Sequence, residues 1–76
     1  MMTLKELGTE LFRMYTKAEN GYKVTSIYLF GIKYSNYIRE KGYSVNDIIK
    51  ASNLKPSFKT ELSKALKLSR FVRIVD

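Results

Sequence analysis

"SVNDIIKASNLKPSFKTELSKALKLSR" (residues 44–70) is the stretch that decides the fold. It holds two helical patterns with one break between them. Ser44 followed three residues later by Asp47 is a helix-start signal, because a serine hydroxyl can accept a bond from a backbone N–H left unpaired in the first turn. Val45, Ile48 and Ile49 then supply the apolar side of a short helix running through Ala51. "SNLKPS" (52–57) interrupts it, with Asn53 as a turn residue and Pro56 suited to the opening of the next helix. Beyond it Phe58, Leu62, Ala65 and Leu66 recur at i, i+4, i+7 and i+8, a single stripe facing a core.

Two short helices joined by a tight turn, the second one basic, form the pattern of a helix-turn-helix. Here Ser44–Ser52 is the supporting helix and Ser57–Leu68 the recognition helix. The polar stripe of the latter is Thr60, Ser63, Lys64 and Lys67, flanked by Lys59 and Arg70, and only Glu61 is acidic. Lysine is a good helix former and keeps small proteins soluble, which is the plainer reading of such a face. The charge distribution favours a polyanionic partner. Residues 1–22 sum to zero, 23–49 to +2 and 50–73 to +6, and Asp76 brings the 76-residue chain to +7. A positive field concentrated on folded residues, not on a tail, is the footprint of a nucleic-acid binder.

Working outward, Thr3 and Glu6 form a capping box that opens a helix over about 3–18. Leu4, Leu7, Leu11, Met14, Tyr15 and Ala18 line one face of that helix, and "ENG" (19–21) ends it. Ile27, Phe30, Tyr34, Tyr37 and Ile38 share a face of a second long helix over about 27–41, closed by Gly42. Glycine inside a helix costs about 1 kcal/mol against alanine, so Gly8 and Gly31 mark close helix contacts. "YKVTS" (22–26) and "RFVRIV" (70–75) are short, alternating and rich in β-branched residues. The expectation is that Lys23–Thr25 pairs with Phe71–Ile74. The fold class is then mostly α, a winged-helix-like four-helix domain over 1–76 closed by a short two-stranded β pair.

"VTSIYLFGIKYSNYI" (24–38) together with "FKTELSKALKLSRFVRI" (58–74) resembles the small bacterial domains described as helix-turn-helix-like. Relatives of those domains are attached to modification-dependent restriction endonucleases. "LFGI" (29–32), "TEL" (60–62) and "KLSRFV" (67–72) carry the resemblance most specifically. It implies a DNA-binding type of fold without naming a target. The family often has glycine at the positions of Lys59 and Ala65, so this helix should be more regular than its relatives', and Lys59 adds charge.

The expected function is DNA binding through helix 57–68, in an accessory role within a regulatory or restriction and defence system. Lys55, Lys64, Lys67 and Arg70 are candidates for phosphates, and Ser57, Lys59, Thr60 and Ser63 for base edges or backbone near the helix start. The rival reading is a protein-interaction module, or a bacteriophage-type inhibitor, whose same basic face docks on an acidic protein. Tyr28, Leu29 and Ile32 fall off the core stripe of their helix. The first helix is expected to cover them; left uncovered, they are a candidate homodimer patch. The tyrosines could stack on bases, but most fall on core faces.

No enzyme is expected. Histidine and cysteine are absent, and the carboxylates form no acid, base and nucleophile set. No cofactor or metal is implied. The longest apolar run, "IYLFGI" (27–32), is too short to span a bilayer, so the chain reads as cytoplasmic.

Overall fold

The computed structural model describes residues 2–75; Met1 and Asp76, the ends of the expected 1–76 domain, lie outside the described residues. The elements in chain order are α1 (Leu4–Lys17), α2 (Lys23–Lys33), α3 (Ser35–Lys41), α4 (Val45–Ser52) and α5 (Lys59–Leu68), with a 3-10 turn at Pro56–Phe58 leading into α5. α1 opens with the expected capping box: the Glu6 N–H donates to Thr3 Oγ1 at 3.1 Å, and the Thr3 N–H donates to Glu6 Oε1 at 2.8 Å. Its far end is closed from outside. Lys23 Nζ donates to the Tyr15 and Ala18 carbonyls, both at 3.0 Å, placing a cation where the helix leaves carbonyls unpaired.

Two expectations are corrected here. Among the described residues there is no β-strand, so the closing pair is not formed. Lys23–Thr25 instead make the first turn of α2. β-Branched side chains are disfavoured in helices because they crowd the preceding turn, and Val24 and Thr25 have no preceding turn to crowd. Phe71–Ile74 run as irregular chain after α5, with Val72 and Ile74 bordering a hollow against Ile32 of α2. The alternation of this segment forms no strand: the Phe71 and Val72 N–H groups both turn back to the Leu68 carbonyl, at 2.9 and 3.1 Å. Among the described residues the domain is all-helical, with five α-helices in place of the expected four and no wing of the winged-helix type.

The second correction is the break in the expected helix 27–41. Tyr34 sits at φ −103° and ψ 11°, between α2 and α3. Ser35, buried just beyond it, donates its hydroxyl to the Ile32 carbonyl at 3.1 Å, offering the backbone an alternative to helical bonding. Tyr34 is also held from the side: its hydroxyl meets Glu10 Oε2 at 3.3 Å, and its ring lies 5.1 Å from that of Phe30.

Two helix pairs build the core, α1 against α4 and α2 against α5, with α1 also against α2. Each main crossing is set by a glycine. A Cβ at Gly8 would lie 2.5 Å from the carbonyl carbon of Ala51, and one at Gly31 would lie 2.5 Å from Ala65 Cβ. Leu7, Leu11, Ile27, Phe30, Ile38, Ile48, Ile49, Leu62 and Ala65 are buried at the centre. Tyr34, Phe58 and Leu66, from the same expected core-facing stripes, pack against this centre and are half-buried.

Candidate nucleic-acid interface

The surface around α5 is built by the turn that precedes it. Ser44 Oγ accepts the Asp47 N–H at 3.0 Å, starting α4 as the sequence indicates. At the other end the Ser52 hydroxyl, 1 % exposed, donates to the Ile49 carbonyl at 2.7 Å and accepts the Leu54 N–H at 3.2 Å. Asn53 then takes the left-handed conformation, φ 62°, which asparagine tolerates better than most residues. Pro56 begins the 3-10 turn, and the Lys59 N–H bonds back to the Pro56 and Ser57 carbonyls, so the tight turn passes straight into α5. Leu62 and Ala65 are the buried residues of α5, which leaves its opposite side to solvent.

Thr60, Lys64 and Lys67 form one exposed stripe on α5, and Ser63 beside them is half-buried. Lys59 stands at the first position of α5, Lys55 in the turn, and Ser57 on the 3-10 segment; all three are exposed. These residues lie on one continuous run of turn and helix. Arg70 does not share the start of the helix. It follows the C-terminal end, which lies about 14 Å along the axis from Lys59 at the usual rise per residue, and borders a hollow with Arg39, Leu66, Lys67 and Phe71.

The structure adds a residue that the sequence reading did not single out. Lys59 Nζ donates to Asn46 Oδ1 at 3.3 Å, tying the start of α5 to the first turn of α4. Asn46 and Lys50, one turn apart on α4 and both exposed, thereby extend the polar surface onto the supporting helix. The signal was available in part, since both are polar residues on the side of α4 opposite Ile48 and Ile49. Their closeness to Lys59 depends on the turn.

Electrostatically this surface is one-sided. The lysines of α5 make no ion pair among the described residues, and Glu61 on the same helix is half-buried. The pair Arg13–Glu10, at 2.6 Å, lies on α1. There the Arg13 guanidinium, bonded to both carboxylate oxygens, holds Glu10 below the usual carboxylate range, with the Tyr34 hydroxyl assisting. At the C-terminal end of α5, Arg39 Nη2 donates to the Leu66 carbonyl at 2.5 Å and to Ser69 Oγ at 2.8 Å, so a cation from α3 caps α5. Among the described residues no cluster of carboxylates could hold a metal ion.

The three residues of the candidate dimer patch divide. Leu29 is 44 % exposed, so α1 does not cover it as expected. Tyr28 and Ile32 are half-buried, and each borders a hollow shared with the end of α5 or the chain that follows it. Tyr34 and Tyr37 spend their hydroxyls inside the molecule, on Glu10 and on the Met2 carbonyl.

The sequence model of one family, described as an HTH-like domain, matches residues 3–75. The chain belongs to this family. Membership suggests DNA binding in general, and the all-helical arrangement with a tight turn between α4 and α5 agrees with it. Neither the curated proteins nor the solved structures yield a match. No helix among the described residues is long and apolar enough to cross a membrane.

Proposed function

We propose that this HTH-like domain binds duplex DNA through α5, with the 3-10 turn and the first turn of α4 beside it. The carrying observation is the exposed, unpaired stripe Thr60, Lys64 and Lys67, continuous with Lys55, Ser57 and Lys59. A cationic stripe on a helix held only from its back is shaped to lie in a groove and neutralise phosphates. The N-terminal end of α5 adds the positive pole of the helix dipole to the same region. In this reading Lys55, Lys64, Lys67 and Lys50 take phosphates. Lys59, held against Asn46, presents polar groups where base edges would come, together with Ser57, Thr60 and Ser63. Arg70 contacts the backbone farther along the groove. The resemblance to domains attached to modification-dependent endonucleases favours an accessory role in a regulatory or restriction system over an enzymatic one.

The test is a titration of random duplex DNA followed by fluorescence anisotropy at two salt concentrations. Affinity should fall steeply with salt, because each neutralised phosphate releases a condensed counterion. Binding that is absent at low salt, or insensitive to salt, would sink the proposal.

A further inference from the structure

The C-terminal half of α5 carries a second surface of a different kind. Tyr28, Leu68 and Phe71 line an open hollow of about 380 Å³ whose remaining walls are Lys64 and Lys67. A neighbouring hollow of about 480 Å³ shares Lys67 and Phe71 and adds Arg70. Phe71 stands between the two and is 84 % exposed, and Leu68 is 43 % exposed. An aromatic ring this exposed on a small domain gains nothing from the core, whereas a partner could bury it. The floor of the surface is apolar, its rim is cationic, and among the described residues no carboxylate lines either hollow.

We infer that this surface docks a short acidic peptide segment, of a partner protein, that carries a leucine or aromatic side chain. The apolar side chain would sit among Tyr28, Leu68 and Phe71, and flanking aspartates or glutamates would meet Lys64, Lys67 and Arg70. A second copy of the chain fits poorly. A two-fold interface sets the same patch against itself, so it would gather the lysines of both copies around one apolar contact, with no acid among the described lining residues to offset them. DNA alone leaves the surface unexplained, because phosphates use the lysines but not the apolar floor. Lys64 and Lys67 are also phosphate contacts in the proposed DNA complex, so peptide and DNA would exclude one another. Only this exclusion rests on the DNA-binding reading; the docking site stands on its own lining.

The experiment is selection of a random-peptide display library on the purified chain, followed by titration of one enriched peptide against wild type and Phe71→Ser. The expected peptides combine acidic residues with a leucine or aromatic, and they bind with one-to-one stoichiometry. Phe71→Ser should weaken binding at least about tenfold, the effect of losing an aromatic anchor, while its melting curve and its affinity for duplex DNA stay unchanged. Amide shift changes on peptide addition should centre on Tyr28, Leu68 and Phe71. Enriched peptides that are acidic but lack an apolar residue would overturn the inference, as would peptides that bind Phe71→Ser equally well. A concentration-dependent dimer abolished by Phe71→Ser would overturn it in favour of self-association. A chain that binds the peptide but no DNA keeps this site and loses the DNA reading; the reverse result does the opposite.

Discussion

Gly8 and Gly31 are the residues on which the two helix crossings depend, and they should respond differently to the same change. Alanine at either position gains about 1 kcal/mol of helix propensity and meets an overpacking cost of about 1–3 kcal/mol. The cost at Gly31 comes chiefly from Ala65 Cβ, a side-chain atom at 2.5 Å, with Leu62 Cδ1 at 3.1 Å behind it. At Gly8 the obstacles include the backbone of Ala51, its carbonyl carbon at 2.5 Å and oxygen at 2.7 Å. Denaturant melts should therefore show Gly31→Ala/Ala65→Gly less destabilised than the sum of its single changes, by about 1 kcal/mol or more. Gly8→Ala/Ala51→Gly should show no comparable rescue. Equal coupling in both pairs would mean that side chains alone set the α1–α4 distance. Leu62→Ala, which empties a fully buried position beside Gly31, should cost about 2–5 kcal/mol. That both glycines mark close contacts is legible in the sequence, since a mid-helix glycine needs a compensating reason. Which alanine each one faces is not, because the partner lies on a distant segment.

The starts of α1 and α4 are legible because their chemistry is local: the Thr3–Glu6 box and the Ser44 cap each close within a single turn of chain. The ends of α1, α3, α4 and α5 fall within a residue of the expected 18, 41, 52 and 68, and two of them are also closed by residues from other elements. Lys23 caps α1 and Arg39 caps α5. The start of α2 is not legible, because it has no side-chain cap and the alternating pattern over 23–25 conceals a helix whose first residue has a tertiary task. Arg39→Ala should fray the last turn of α5, seen as faster amide exchange at Leu68–Phe71 with little change in α4. The link between α1 and the α2–α3 junction makes a pH prediction. Glu10 has its pKa lowered in the folded state, by Arg13 first and also by the Tyr34 hydroxyl. A depressed carboxylate stabilises the fold above its unfolded pKa, and that contribution is lost as pH falls through the folded value. Stability should thus decline below about pH 4.5, and Glu10→Gln should flatten part of the decline by at most about 1 kcal/mol, as for an exposed ion pair. Urea melts at neutral and acid pH measure the difference, and an unchanged acid limb would show that the pair does not couple to folding.

At the scale of the whole molecule, the question is whether binding follows net charge or the placement of charge. The chain carries +7, so it will attract polyanions whatever its fold. The helix-turn-helix architecture makes a sharper claim, that phosphates meet α5. Lys64→Ala/Lys67→Ala removes two exposed cations from that helix and touches nothing buried, so its melting curve should match wild type. Lys5→Ala/Lys17→Ala removes the same charge from exposed positions on α1 and serves as the matched comparison. If α5 lies in the groove, the first variant should weaken binding to all sequences and reduce the slope of log affinity against log salt by about one unit per lysine. The second should leave the slope close to wild type. Thr60→Ala should change preference among sequences more than the slope, because a hydroxyl near the helix start can read a base edge without neutralising a phosphate. Equal losses in both lysine variants would show that DNA senses only the total charge, and the assignment of α5 as the recognition helix would fall.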